Sequence, residues 1–576
     1  MNIEKFQPPL NDELLKKYNF FELYPFDGGG CFIHREIVGT VDDNEIYERI
    51  INQNALSDFG KLPGLEFDKF ERWRSIEKSC WINRFYFIVP LAKKYWLMKD
   101  EAIAIKVKNT ILHFIRNFSP PPTKDAVGEH QKRVFYNRDT NYNSKSYEEY
   151  SKDETDVEYI WFDFQPASRI IHFLYAFYFL KNSSSISGDE WKEFENSIDE
   201  HAKVIMYGEK YFSKLAKGNH QSLRGLALLF AATFLQNKEY LEEGLRICSY
   251  HICNDFLDDG VLHEISPSYH IFETWHVRDA YLLSNARGFN LSCEAESILN
   301  RAGNFAKALS QPDGKSTVIN DGYALSLDAF IASLPENETV AEDISASFFK
   351  NAGLAFFRDS SRYLLFDVSP FTGPFSHYHS GKNAFTYWYK GIPFFIDSAC
   401  CNYDDPLFAE WYKKTEAHSS LIIDGKGDGT LNGTYEWREH AKLSCNGWIR
   451  NENDFTIKSA LSSSVCEWSD VSWTRSIELK KENTLIITDM VKSETSKQLE
   501  FVFNLHPDVN CRIEAGNISL VNGNVKLQMI FSQEQVDDIR ILKGRSFIDF
   551  RHRENQRVSV LLHGTDKTLR TEIREI

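Results

Sequence analysis

The hydrophobic residues of this chain change their spacing once, near residue 350. Before that point they recur every three or four residues, as in residues 80–95, which predicts amphipathic and buried helices. After it they alternate with polar residues, as in residues 354–358, which predicts short strands joined by turns. We therefore predict two domains in the 576 residues, a helical domain over 1–345 and an antiparallel β-sheet domain over 346–576.

Connector segments indicate how each half packs. Short polar links such as residues 181–188 favour antiparallel helix pairs, arranged as a bundle, a solenoid or a closed toroid. The absence of a strict sequence repeat weakens the solenoid interpretation. In the second half, residues 521–525 carry an Asn-Gly hairpin signal, and many short strands predict a sandwich or a large two-sheet layer.

Composition excludes some partners. The net charge of −16 argues against nucleic acid, because phosphate binding needs a cationic surface, whereas an anionic sugar polymer could still bind in a local basic cleft. Ten cysteines without CxxC pairs indicate buried thiols. No segment has the apolar length of a membrane span, and the first residues lack a signal-peptide core. We expect a cytoplasmic protein, or a periplasmic one if a leader was removed.

Three histidines and one aspartate form a candidate site in the second half. His377 and His379 are two residues apart, so on an extended strand both imidazoles would project from one face. Asp397 closes one apolar run and His418 precedes another. Two histidines and one carboxylate at strand edges could bind a divalent metal, which leaves the remaining histidine for chemistry beside it.

Four stretches together carry a family resemblance: residues 218–222, 259–270, 312–321 and 377–418. By these motifs the chain resembles the heparinase II/III-like polysaccharide lyases, with heparinase III-like and alginate-lyase-like members closest in pattern. The resemblance implies an incomplete (α/α) toroid followed by antiparallel β-sheets. It also implies β-elimination of a uronic-acid-containing polysaccharide, heparan sulfate or heparin foremost and alginate next, with 4,5-unsaturated uronate products.

The resemblance also assigns catalytic roles. It implies that Asn219 or His220 contacts the substrate carboxylate, where a neutral donor stabilises the charge that builds up as C5 loses its proton. Tyr269 is implied as the general acid, and also as the base when both protons lie on one sugar face. His377 is then the opposing base or a carboxylate binder, depending on substrate stereochemistry.

A structural zinc ion is implied as well. His379, Asp397 and His418 match the family's zinc ligands, and the ion would hold strands of the β-domain and position His377 rather than activate water. Tyr403 and Tyr412 both lie where alginate-type members place a second active-site tyrosine, and the sequence does not distinguish them.

Other polar residues have two interpretations. Arg84 and Arg169 lie among apolar helix neighbours, either as buried ion pairs or as forks that bind sulfate or carboxylate on the sugar. Glu264 and Asp321 are expected to act as caps or as hydrogen-bond partners of Tyr269 or His220.

Two competing functions remain open from the sequence. One is a glycoside hydrolase, for which Glu264 and Asp321 are the carboxylate pair we can propose. The other is a non-catalytic polysaccharide-binding protein of surface-polysaccharide metabolism. The sequence leaves the oligomeric state open.

Overall fold

A computed structural model describes residues 2–26, 37–53, 55–68, 80–144, 157–212, 214–335, 345–403, 405–450, 454–532 and 536–576. In these segments the last α-helix is Asp328–Ala332 and the first strand is Ser345–Phe349. The predicted order, a helical region followed by antiparallel sheets, is therefore confirmed.

The chain divides into two compact units. The helical unit comprises Met1–Phe256, Ile271–Asn300 and Asp328–Pro335, and the β unit comprises Leu257–His270, Arg301–Leu327 and Glu336–Ile576. Two segments from before residue 345 thus cluster with the strands rather than with the helices.

The described α-helices are α1 Asp12–Lys17, α2 Phe20–Leu23, α3 Asp43–Ile51, α4 Ile88–Met98, α5 Glu101–Asn117, α6 Lys124–Ser144, α7 Gln165–Leu180, α8 Gly188–Phe212, α9 Asn219–Leu235, α10 Lys238–Asn254, α11 Pro267–Arg287, α12 Ala295–Leu309 and α13 Asp328–Ala332. Every residue of α7 is buried, as expected for a helix that is apolar on nearly all faces. Between α9 and α10, Gln236 adopts a left-handed conformation and Asn237 caps the next helix by accepting from the Glu239 and Tyr240 amides. This tight connection makes α9 and α10 consecutive packed helices.

The described strands are β1 Ser345–Phe349, β2 Leu354–Arg358, β3 Arg362–Asp367, β4 Ala384–Tyr389, β5 Ile392–Phe395, β6 Leu421–Ile423, β7 Thr430–Asn432, β8 Glu436–Glu439, β9 Ala441–Arg450, β10 Phe455–Ser463, β11 Val471–Leu479, β12 Leu485–Asn504, β13 Asn510–Glu514, β14 Asn517–Asn522, β15 Val525–Phe531, β16 Asp538–Ile548 and β17 Arg551–Glu575. β1 to β5 form one sheet in chain order. A second sheet has the order β13-β14-β15-β17-β12-β11-β10-β9, with β16 paired to β17 and β6 to β12, and β7 pairs with β8. The hairpins predicted at β2–β3 and β14–β15 are both present and antiparallel.

One hydrophobic core fills the space between the two large sheets. Phe357 and Phe366 of the first sheet belong to the same buried cluster as Trp473 and Ile487 of the second. β11 alternates buried and more exposed residues along its length, which is the pattern of a strand with one face toward the core. The β unit is therefore an antiparallel sandwich, and its connecting segments carry most of the candidate site.

Among the helices in the described ranges, none has the length and apolar character needed to cross a membrane.

Candidate active site

Asp321 joins the two histidines that the sequence singled out. Its Oδ2 lies 2.7 Å from Nδ1 of His377, and its Oδ1 lies 2.7 Å from Nε2 of His379. The Asp321 backbone amide also donates to the His377 carbonyl. Asp321 is therefore bound to this histidine segment by side chain and backbone together.

The sequence expectation of a regular strand through these histidines is wrong. His377 and His379 lie on the irregular connection between β3 and β4, where Phe375 forms an isolated bridge to Glu436. Both imidazoles nevertheless converge on one carboxylate, that of Asp321. Asp397 follows β5 and His418 precedes β6, as predicted.

Tyr269 stacks on His377. Their ring centroids are 3.7 Å apart with an interplanar angle of 19°, and Tyr269 is only 4% exposed. Tyr269 lies in the first turn of α11 rather than on a preceding loop, and its amide donates to the Ser266 hydroxyl. The helix start and the stacked imidazole thus fix the phenol ring from two sides.

The second tyrosine of this site is Tyr403. Its hydroxyl lies 2.8 Å from that of Tyr269, whereas the Tyr412 hydroxyl lies 2.8 Å from Nδ1 of His552. Burial raises the pKa of Tyr269 well above its ordinary value, and the hydrogen bond with Tyr403 opposes that shift. Both phenols are therefore held protonated near neutral pH.

Charges around His377 set its protonation. Burial disfavours the imidazolium, but the Glu264 and Asp321 carboxylates outweigh burial and raise the pKa of His377. Glu264 Oε2 lies 3.5 Å from Nε2 of His377. Glu264 and Asp321 thus both pair with His377, a partner that the sequence did not predict for them.

Lys413 is a charged residue of this site that the sequence analysis missed. It is fully buried, its Nζ donates to the Ser376 carbonyl at 3.3 Å, and it lies over the Phe408 and Trp437 rings. Burial opposes ionisation of Asp321, but Lys413 and the two histidines outweigh it and lower the pKa of Asp321. No sequence motif indicated Lys413, which directly follows the π-helical turn Phe408–Tyr412.

His379, Asp397 and His418 have the chemistry of a zinc site. Burial lowers the pKa of His379 to about 4, which keeps the imidazole neutral as a metal ligand requires. With Nε2 bound to Asp321, the buried Nδ1 of His379 has no hydrogen-bond partner among the residues that the structure describes, and the His379 and His418 ring centroids are 5.6 Å apart. His418 Nδ1 lies 2.8 Å from Asp397 Oδ2, and its Nε2 donates to the Tyr412 carbonyl. The open Nδ1 of His379, with the Asp321 carboxylate behind its ring, fits a zinc ligand, and His418 would have to give up its bond to Asp397 or to the Tyr412 carbonyl to become one.

In the helical unit, Asn219 and His220 begin α9 and line a cavity of about 450 Å³. His220 Nδ1 bonds to Asp163, and Arg224 bridges Asp163 and Glu209.

The wall of this cavity also includes Lys214, Lys217, Gln131 and Gln221. Polar donors on such a concave surface are suited to sugar hydroxyls and carboxylates. Asp163 is a second residue that no motif indicated.

Arg84 and Arg169 are buried in the same unit. Arg169 is 0% exposed and donates to His201 Nε2, to Asn83 and to the Ile160 carbonyl. The Arg84 guanidinium lies 4.0 Å from the centre of the Phe164 ring. These contacts favour the structural alternative over the sulfate-binding fork. The partners of Arg169 are protein carbonyls, an amide and an imidazole rather than the carboxylates of an ion pair.

Family models match almost the whole chain. The heparinase II/III N-terminus model matches residues 66–341, and the heparinase II/III-like C-terminal model matches residues 343–574. The chain belongs to the heparinase II/III-like family. Its predicted membership is confirmed.

Individual relatives of this heparinase II/III-like chain agree with the predicted class of polysaccharide lyase. The heparin-sulfate lyase of Pedobacter heparinus is 23% identical over 305 residues, which span 47% of this chain and 45% of that relative. The match therefore covers less than half the length of this curated relative.

Solved structures share the fold. A structure of heparinase III has a TM-score of 0.70 at 15% identity, covering 100% of this chain and 88% of the other. The chondroitin AC lyase of Streptomyces coelicolor has a TM-score of 0.54 at 8% identity, covering 96% and 82%. At these identities the likeness establishes the fold of a helical region followed by antiparallel sheets.

Proposed function

We propose that this heparinase II/III-like protein is a polysaccharide lyase that cleaves a uronic-acid-containing polysaccharide by β-elimination. Heparan sulfate or heparin is the first candidate substrate and alginate the second. The observation that carries the proposal is the contact of Tyr269 with both His377 and Tyr403. It places three proton-transfer groups together, with the imidazole anchored by Asp321.

The reaction removes the C5 proton of the uronate, forms the C4–C5 double bond and breaks the C4–oxygen bond. Tyr269 is suited to protonate the departing 4-oxygen, because its raised pKa keeps the phenol protonated until charge builds on that oxygen. His377 in its neutral form is the base, or as imidazolium it binds the uronate carboxylate. In the second case Tyr269 would have to act first as the phenolate that takes the C5 proton and then as the phenol that gives it to the 4-oxygen, and its raised pKa disfavours that phenolate.

Asn219 and His220 are proposed to neutralise the uronate carboxylate. Negative charge grows on that group as C5 loses its proton, so amide and imidazole donors held in place beforehand lower the barrier. Asp163 holds the His220 ring through Nδ1, which leaves Nε2 for the substrate. Removing Asn219 should therefore lower kcat rather than only raise KM.

A zinc ion at His379, Asp397 and His418 is also proposed. When bound, it would supply a fixed crosslink between the β3–β4 and β5–β6 connections rather than activate water. His379 and His377 both form hydrogen bonds with Asp321, so one carboxylate holds the proposed zinc ligand and the proposed base. Metal analysis of purified protein and of His379→Gln tests this, with about one zinc lost from the variant as the expected result.

The hydrolase alternative is not supported by the carboxylate positions. A hydrolase places an acid and a second carboxylate on opposite sides of the scissile bond. Glu264 and Asp321 instead flank one imidazole, and Asp321 accepts hydrogen bonds from two histidines.

The test is near-ultraviolet absorbance of unsaturated uronate during incubation with heparan sulfate, heparin, hyaluronan, chondroitin and alginate. A rise with one polymer, abolished in Tyr269→Phe, is expected. New reducing ends without absorbance would contradict elimination. Comparing His377→Ala on glucuronate-rich and iduronate-rich chains separates the base role from the carboxylate-binding role.

A further inference from the structure

A second cluster of metal-ligating side chains lies apart from the zinc-type set. The sulfur of Cys401, a carboxylate oxygen of Asp405 and a ring nitrogen of His552 all lie within 4.8 Å of one another. It is the one such group of three or more found in the described segments. Cys401 and Asp405 belong to the β5–β6 connection, and His552 is the second residue of β17.

The separations are close to those of a metal's ligand shell. Ligands about 2.0–2.3 Å from a tetrahedral zinc ion lie roughly 3.3–3.8 Å from each other. His552 Nε2 lies 2.9 Å from Asp405 Oδ2, so these two atoms need to separate by less than about 1 Å to admit an ion. A small side-chain movement would convert the hydrogen-bonded pair into a ligand pair.

Neighbouring groups already hold two of the three ligands in place. The Asp405 Oδ1 accepts from the Leu407 amide at 2.8 Å, which leaves Oδ2 toward His552. His552 Nδ1 bonds to the Tyr412 hydroxyl at 2.8 Å, which fixes the ring and directs Nε2 toward Asp405. Hydrogen bonds of this kind behind the ligands are typical of metal-binding histidines and carboxylates.

Exposure of the cluster suits an exchangeable ion. Cys401 is 1% exposed, whereas the side chains of Asp405 and His552 are 30% and 37% exposed. Solvent can therefore reach the site from the Asp405–His552 side and supply a fourth ligand, while the sulfur lies beneath. A thiolate, an imidazole and a carboxylate together favour zinc over magnesium or calcium, which prefer oxygen ligands only.

We propose that Cys401, Asp405 and His552 bind a zinc-class divalent ion that ties the β5–β6 connection to β17. Tyr403 lies between the two ligands of that connection, so the ion would fix the backbone on both sides of it. A further contact ties the β5–β6 connection to β16, the strand paired with β17: the Trp411 indole donates to the Arg545 carbonyl at 2.9 Å. The proposed binding does not depend on the proposed lyase activity.

The test is cobalt binding to the full-length protein after removal of bound metal with a chelator. A thiolate ligand gives Co²⁺ a strong near-ultraviolet charge-transfer band, which the His379, Asp397 and His418 set lacks because it contains no sulfur. We expect this band to reach its maximum at about one equivalent for this site, and zinc to abolish it.

Variants assign the band to its ligands. Cys401→Ser and His552→Gln should each abolish it, and His552→Gln changes a partly exposed residue, so it tests the site even if the buried cysteine variant misfolds. Cys445→Ser, at an exposed cysteine, and His379→Gln, at the other set, should retain it. Absence of the band in folded wild-type protein, or its survival in either Cys401→Ser or His552→Gln, would overturn the proposal.

Discussion

The hydroxyl oxygens of Tyr269 and Tyr403 lie 2.8 Å apart although 134 residues separate them in the chain. This contact distinguishes Tyr403 from Tyr412, whose hydroxyl binds His552 instead. We expect Tyr269→Phe to lower kcat by about 10²–10⁴-fold, because it removes the proposed proton donor. Tyr403→Phe should lower it by roughly 10–100-fold through loss of the hydrogen bond. Initial rates of unsaturated uronate formation measure both effects.

Tyr412→Phe is the matched control for these variants. It removes the same hydroxyl from a neighbouring buried tyrosine and should change kcat by no more than about twofold. A larger loss in Tyr412→Phe than in Tyr403→Phe would reverse the assignment of the second tyrosine.

Asp321→Asn should lower kcat by about 10²–10⁴-fold with the fold retained. An amide offers one oxygen, so it cannot accept from both His377 and His379, and the orientation of His377 is lost. Steady-state kinetics and circular dichroism measure the two outcomes. Asp313→Asn, at an exposed aspartate of the same segment, should leave kcat unchanged. Wild-type activity in Asp321→Asn would show that His377 is positioned without this carboxylate.

Lys413→Met should lower kcat by about tenfold or more while KM changes little. The substitution keeps most of the length of the side chain but removes the charge that favours the ionised form of Asp321, so Asp321 holds His377 less firmly. Lys414→Met, at the exposed neighbour, is the control. Equal losses in the two variants would mean that the effect is not specific to the buried ammonium.

Arg169→Lys should destabilise the protein without changing KM. A lysine cannot reproduce the bonds to His201, Asn83 and Ile160, so we expect the free energy of unfolding to fall by about 2–4 kcal/mol. Scanning calorimetry measures the Tm, and polymer titration measures KM. Lys217→Ala, at the exposed cavity wall, should show the opposite pattern. A raised KM with unchanged Tm in Arg169→Lys would instead support the interpretation of Arg169 as a fork that binds the sugar.

Acid should weaken the β unit through His270. Its Nδ1 accepts from the Leu262 amide and its Nε2 donates to the Ala302 carbonyl, so the buried ring is neutral and burial lowers the pKa of His270 from 6.5 to about 4. Because the unfolded chain takes up the proton first, this contribution to stability is full above about pH 6.5 and is lost as the pH falls toward about 4.

His270→Asn removes this titration while keeping an acceptor for the Leu262 amide. The variant is expected to be less stable than the parent near pH 7, but its additional loss between about pH 7 and pH 5 should be smaller by about 2 kcal/mol. Unfolding in urea at the two pH values measures the difference. Identical pH dependence in both proteins would contradict the assignment.

Local pattern predicted the fold well, and distant contacts limited the prediction of the site. The change of period identified helices and strands because side-chain spacing directly reflects burial on a helix or strand. The i, i+2 spacing of His377 and His379 suggested that their imidazoles act together, although the segment is not a regular strand. Their shared partner Asp321 lies more than fifty residues earlier in the chain, and no local rule predicts that contact.

The remaining ambiguities have the same origin. Tyr403 and Tyr412 stand close together in sequence, and the π-helical turn Phe408–Tyr412 directs the second of them toward His552 instead of Tyr269. Arg169 was ambiguous because apolar neighbours surround a buried arginine and a cleft arginine alike. Lys413 gave no signal, since only the tertiary structure brings it to Asp321.

Glu264, Tyr269, Asp321, His377 and Tyr403 all belong to one compact unit, although two segments from before residue 345 supply the first three. The cavity with Asn219 and His220 belongs wholly to the other. Selection can therefore act separately on the residues of the cavity and on the residues around His377. Under the proposed function, substitutions around the cavity can alter which polymer is bound while the proposed proton-transfer residues stay unchanged.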